Sequence, residues 1–309
     1  MALAARGEAA PAATDDAPIA YLERVRDYYQ ALGYGTPYEW AHCIDVPFTR
    51  LAKPLAACRV ALVTTAAPYR PGLGDQGPGA PYNAAAKFYR VYSGDASQDP
   101  DLRIAHLAID RDHTTGEDQA TWFPLAALRH AVASDRIGAV AARFHCAPTN
   151  RSQRATLADA DEIVARCRAD GADAAVLVAN CPVCHQTLSL VARALEGDGI
   201  ATVLMGCAKD IVEHVGVPRF VFADFPLGNA AGRPRDPASQ EALLALALDL
   251  LEFAPAPRTT LQSPLRWSDS AAWKRDYCNV AHLAPEEIAR RRAAFDAGKA
   301  QAKALRERL

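Results

Sequence analysis

The sequence predicts an α/β fold: a mostly parallel, doubly wound sheet with helices on both faces, built as one unit or as two similar lobes. Three observations carry this. Short apolar runs, of which Asp173-Ala-Ala-Val-Leu-Val-Ala-Asn180 is the clearest, are too short for helices and too uniformly apolar for half-exposed strands. From Ile137 to Asp224 such runs alternate with helical patterns, the signature of right-handed crossovers between parallel strands. Two of the runs end in Cys- and His-bearing turns, the position where doubly wound sheets place their ligands.

Composition sets the outer limits. The chain has 309 residues, half of them apolar, and a formal net charge of −2. That length supports a large core, and the interleaved charges exclude an electrostatic footprint for nucleic acid. No run approaches the roughly 18 apolar residues that span a bilayer, so no membrane association is expected. Eight cysteines without a signal-like leader fit a reducing, cytoplasmic setting better than a disulfide framework. Residues 1–18 read as a disordered tail and 19–254 as the catalytic region, with 19–150 and 151–254 as its two candidate lobes. Residues 255–309 read as an irregular segment followed by a helix packed on the core.

In chain order, Ile19 to Leu32 carries apolar residues on one side and charges on the other, predicting a helix stopped by Gly33. Tyr38, Trp40, His42 and Phe48 then pin a long loop. Cys58 to Thr65 is a buried strand whose end makes Thr64 a candidate substrate contact. Pro68 to Pro81, full of Gly and Pro, is a loop or lid. Leu102 to Ile109 alternates apolar residues and leads into Asp110-Arg-Asp-His113, where His113 among carboxylates reads as a general base or substrate contact, as part of a hard-metal site, or as part of a solvated loop. Phe123-Pro124 opens a helix to about Ala133. Ile137 to Phe144 is a strand ending in His145-Cys146-Ala-Pro148-Thr-Asn150-Arg151. Ala158 to Ala169 is a helix delivering the chain to the Asp173 strand.

That strand ends in Cys181-Pro-Val-Cys184-His185, and Thr187 to Glu196 continues as an amphipathic helix. With Pro182 as the first helical residue, Cys181 falls at the N-cap and Cys184 one turn in, near the positive end of the helix. That field favours thiolate, which makes Cys181 the candidate nucleophile and Cys184 its resolving partner. The spacing equally allows a metal, Zn²⁺ or a similar ion, held by His145, Cys146, Cys181, Cys184 and His185, or structural thiols. His145 and Cys146, at a neighbouring strand end, are expected beside the pair, with His185 or His145 as the base that handles protons and Cys146 as a further thiol. Gly199 to Met205 and Arg219 to Phe222 are further strands, with a short helix from Gly206-Cys207 to His214 between them. Asp224 to Asn229 is a turn in which Asn229 is a candidate substrate contact. Ser239 to Phe253 is an apolar helix, and Pro285 to Leu309 a helix with acidic residues first and basic residues later.

Four stretches carry a resemblance: Asn180-Cys181-Pro-Val-Cys184-His-Gln-Thr187, Gly199-Ile-Ala-Thr-Val203, Pro218-Arg-Phe-Val-Phe-Ala-Asp-Phe-Pro226-Leu-Gly-Asn229, and Asp112-His113-Thr ahead of Phe123-Pro124. In these the chain resembles the selenoprotein B subunits of glycine, sarcosine and betaine reductases and the related D-proline reductase subunit, over most of residues 20–300. The resemblance implies that Cys181 stands where relatives often carry a selenocysteine that attacks an activated α-carbon, and that Cys184 resolves the resulting linkage. It implies a small amino-acid-like substrate, an external dithiol or thioredoxin-type reductant, and a partner subunit bearing the activating pyruvoyl group, since this chain shows no pyruvoyl-forming sequence. Two alternatives stand beside it. One is a metal-assisted lyase or hydrolase, such as a desulfhydrase acting on a small thiocarbonyl compound. The other is a non-catalytic subunit.

Overall fold

The computed structural model describes residues 16–307 apart from 105, 150 and 151, with no side-chain description at 305 and 306. Residues 1–15 of the expected tail, and Asn150 and Arg151, lie outside the described residues. The elements are α1 (Tyr21–Ala31), β1 (Arg59–Thr64), β2 (Ala67–Pro68), β3 (Tyr92–Asp95), β4 (Leu102–Arg103), α2 (Leu125–Ala133), β5 (Ala139–Val140), β6 (Arg143–Cys146), α3 (Gln153–Ala169) and β7 (Ala174–Val178). They continue with α4 (Pro182–Gly197), β8 (Ala201–Gly206), α5 (Lys209–Val215), β9 (Arg219–Phe222), α6 (Pro237–Phe253), β10 (Thr259–Gln262) and α7 (Pro285–Arg306).

The main sheet runs β10-β9-β8-β7-β1-β6-β3, with β5 also paired to β1. Every pairing in it is parallel except that of β3 with β6, so the predicted mostly parallel α/β sheet is observed. Strands from both candidate lobes enter this one sheet. Helices α3, α4 and α5 pack side by side on one face, and α6 packs with α2 on the other. Each of β7 and β8 is buried along its whole length, which is why both read as unbroken apolar runs.

The topology positions the site. From β1 the chain steps one way to β6, then crosses back to β7 and continues outward through β8 and β9. The reversal falls between the carboxyl ends of β1 and β7, the switch point at which open α/β sheets bind ligands. Register aligns those ends: Thr64 pairs with both Cys146 and Val178, and Val178 with Met205.

Several boundaries differ from expectation for local reasons. Helix α3 begins at Gln153, before Ala158, because the Ser152 side chain accepts the Ala155 N–H at 3.4 Å and caps it. The expected strand from Ile137 is broken into β5 and β6. Among the described residues of the alternating run from Leu102 to Ile109, only β4 is strand, and it pairs with β2 in a separate ribbon. Residues 259–262, expected to be irregular, add β10 beside β9. Asp16 and Ala17, expected in the tail, are held through their carbonyls by Lys274 Nζ at 3.1 and 3.2 Å. The C-terminal helix docks on the end of α1, where Phe295 meets Tyr29 and Tyr34 edge to face. No helix among the described residues is long and apolar enough to cross a membrane.

Gly206, the last residue of β8, shows how tightly the sheet end is filled. A Cβ there would lie 2.6 Å from Cδ2 and Nε2 of the His185 ring. Gly206→Ala is therefore expected to displace His185 and to lower stability by about 1–3 kcal/mol, read from the urea unfolding midpoint.

Candidate active site

The switch point is built around the start of α4. Cys181 is the N-cap in extended conformation, and its Sγ accepts the Cys184 N–H at 3.3 Å. Pro182 occupies the first turn, where its missing N–H is no loss. Cys181 is 4 % exposed and Cys184 0 %, so both thiols are buried and Cys181 alone keeps a little solvent contact.

The two thiols differ in surroundings. Burial alone would raise Cys184, but the Cys181 thiol, the His106 ring and the Thr149 hydroxyl, 3.4 Å away, outweigh it and hold Cys184 well below the ordinary thiol range. Cys181 moves the opposite way. Burial and the neighbouring Cys184 sulfur keep it protonated, against the pull of the Cys184 and Val183 N–H groups. The pair therefore titrates as a unit, with its first negative charge centred on Cys184.

His106 was not singled out in the sequence. Its Nε2 lies 2.9 Å from the Thr65 carbonyl and must donate to it, which makes Nδ1 the basic nitrogen. Nδ1 is buried without a hydrogen-bond partner among the described residues. Burial would lower this histidine, yet the Cys184 sulfur and the Ile104 and Thr65 carbonyls raise it overall.

His185 is occupied differently. Its Nδ1 donates to the Cys181 carbonyl at 2.7 Å, and its Nε2 accepts the N–H groups of Cys207 at 2.9 Å and Ala208 at 3.1 Å. Both nitrogens are committed, and burial pushes the ring down to about 4. It locks α4 against the end of β8 and has no free nitrogen to carry a proton to the thiols.

His145 and Cys146 lie at the predicted strand end but not at the pair. His145 Nδ1 is 2.8 Å from Ser93 Oγ, and Nε2 is 3.3 Å from an Asp170 carboxylate that Arg143 also binds. Cys146, on the opposite face of β6, sits beside the Tyr92 hydroxyl, and burial drives its thiol far up. Alternation along the strand separates the two side chains, and neither makes a hydrogen bond or ion pair with Cys181 or Cys184 among the described residues. The five side chains expected as a metal shell therefore do not assemble, and no three His, Cys, Asp or Glu side chains converge as ligands among the described residues.

The expected substrate contacts hold loops together. Thr64 Oγ1 accepts the Ala66 N–H at 3.1 Å. Asn229 accepts the Thr114 hydroxyl at 3.3 Å and donates to the Pro226 carbonyl at 3.0 Å. His113 Nδ1 is 2.9 Å from the buried Asp110 carboxylate, so Asp110 orients its ring. Asn180, fully buried, donates from Nδ2 to Thr65 Oγ1 at 3.2 Å, while its Oδ1 has no partner among the described residues.

The buried histidines set an acid limit. His185 and His145 are each pushed from 6.5 to about 4, so the unfolded chain binds more protons than the folded one between these values. Stability is expected to be complete above about 6.5, to fall as pH drops toward about 4, and to level off below, by on the order of 3 kcal/mol per histidine. Urea midpoints at about pH 7 and about pH 4.5 test this.

Comparison with known proteins gives one informative match. D-proline reductase subunit gamma of Acetoanaerobium sticklandii is 28% identical over 229 residues, 71% of this chain and 89% of that protein. No family model and no solved structure matches. The match supports a reductase-type role and, loosely, the reductase family that the sequence resembles.

Proposed function

We propose that this chain is the thiol-bearing subunit of a dithiol-dependent reductase that cleaves a C–N or related C–X bond of a small amino-acid-like substrate. The observation that supports it best is the Cys181–Cys184 pair at the sheet's switch point, with Cys181 Sγ accepting the Cys184 N–H and the His106 ring favouring the charged form of Cys184.

In the resting state Cys181 is a thiol, Cys184 a thiolate and His106 protonated. Cys181 passes its proton to Cys184 and attacks the substrate carbon. The C–N bond breaks, and the leaving nitrogen takes the proton from Cys184. Cys184 thiolate then attacks the Cys181 sulfur, forming the disulfide. The electron pair of the S–C bond returns to carbon, which takes the His106 proton. The substrate gains two electrons and two protons, and an external dithiol restores the pair. The adjacent electron sink this needs is what the resemblance assigns to a pyruvoyl group on a separate subunit.

The test is a single turnover with D-proline, using the reduced protein with its co-purifying subunits. One Cys181–Cys184 disulfide should form per ring-opened product. Product formed without thiol loss would remove the reading. His106 gives a second check. His106→Gln takes away the proton held against Cys184, so iodoacetamide labelling of the pair at neutral pH should slow about tenfold and its pH profile should move upward, while Cys43 labels unchanged.

A further inference from the structure

We propose that Asn180 selects an amine: its Oδ1 accepts an N–H from the substrate nitrogen whose bond to carbon is cleaved at Cys181. This rests on the reductase reading for the reaction but not for the binding.

Asn180 and Thr65 stand just past the carboxyl ends of β7 and β1, where Val178 and Thr64 are paired in register. Asn180 immediately precedes Cys181, so the two Cα atoms are about 3.8 Å apart. Thr65 holds two side chains at once. Its carbonyl accepts from His106 Nε2 at 2.9 Å, and its hydroxyl oxygen accepts from Asn180 Nδ2 at 3.2 Å. The other polar atom of each held group, His106 Nδ1 and Asn180 Oδ1, is buried and without a hydrogen-bond partner among the described residues. One residue thus fixes two uncommitted polar atoms at the switch point, where a sheet of this kind takes its ligands.

A buried carbonyl oxygen without a donor costs free energy that a bound N–H returns. Asn180 is completely buried, and its amide is tied to Thr65 through Nδ2, so it does not turn out to water for a donor. An amine nitrogen carries a hydrogen as it binds. An ether or thioether in the same place brings a lone pair against Oδ1 and leaves the acceptor unpaired, which is how a polar site rejects a close analogue. The substrate class therefore narrows from C–X compounds in general to primary and secondary amines.

The first test needs no variant. D-proline and tetrahydrofuran-2-carboxylate of the same hand share a ring and a carboxylate, and differ in N–H against ring oxygen. The N,N-dimethyl betaine of D-proline keeps the positive charge but has no N–H. Each is titrated against the melting temperature of the reduced wild-type protein at matched ionic strength. D-proline should bind about tenfold more tightly than either, the scale of one buried hydrogen bond from a charged donor. Binding of the tetrahydrofuran acid or of the betaine equal to or tighter than that of D-proline overturns the proposal. Asn180→Leu then puts an apolar side chain of similar size in place of the acceptor. The preference for D-proline should vanish in it, and a folded Asn180→Leu protein that keeps the preference overturns the proposal. If that variant does not fold, the three-ligand comparison decides alone. Failure of the reductase reading would show instead as the absence of a Cys181–Cys184 bridge, which neither measurement reads.

Discussion

Replacing Cys184 with serine is expected to give a protein that reacts with substrate once and stops. Cys181 can still form its bond to carbon, but no second sulfur is present to attack it, so the adduct should remain on Cys181 and appear as added mass on its peptide. Turnover should fall at least about 10³-fold, the scale on which loss of one member of a catalytic unit is felt. Cys181→Ser should lose turnover to a similar extent with no adduct at all. The pair of variants separates attack from resolution, which loss of activity alone would not. If Cys184→Ser turned over repeatedly at the wild-type rate, Cys184 would have no part in resolving the adduct.

The largest effect on stability is expected at the Glu196–Arg219 pair. Both side chains are almost completely buried, with Arg219 Nη1 2.7 Å from Glu196 Oε1. The carboxylate also accepts the Thr202 N–H at 2.5 Å and the Thr202 hydroxyl at 2.9 Å, and its other oxygen takes the Thr49 N–H. Arg219 Nη2 returns to the Thr49 carbonyl at 2.6 Å. One carboxylate therefore joins the end of α4, the strands β8 and β9, and the segment before β1. Glu196→Gln or Arg219→Met leaves the other charge buried and unmatched, for an expected loss of about 3–5 kcal/mol. That is a large part of the 5–15 kcal/mol typical of a folded protein. The double variant should recover part of it, since no lone charge remains. Urea unfolding of the four proteins tests this; a loss within error for either single variant would contradict it.

What the sequence reveals here follows from how local each signal is. The turn from β7 to α4 is legible because Gly171, an unbroken apolar run and Pro182 all lie within a dozen residues of the cysteines. His106 leaves no such trace. It sits in a turn without periodicity, and Cys184, whose pKa it helps to lower, is 78 positions away, joined to it only by the crossover that brings β1 beside β7. His145 shows the opposite failure. Its strand end is expected near that of Cys181, but β1 lies between β6 and β7 and the pleat turns His145 toward Asp170. His185 was read from adjacency to Cys184, whereas one helical turn and the missing Cβ of Gly206 aim its ring at the end of β8.

The account depends on Cys181 and Cys184 exchanging a bond with each other in preference to any other thiol in the chain. Equilibrating the protein across a series of dithiol redox buffers, trapping free thiols by alkylation and mapping the peptides measures this directly. A single two-electron transition in which Cys181 and Cys184 lose reactivity together, the other six cysteines staying free, is the predicted result. Both thiols remaining free across the whole range, or either pairing with a different cysteine, would contradict it.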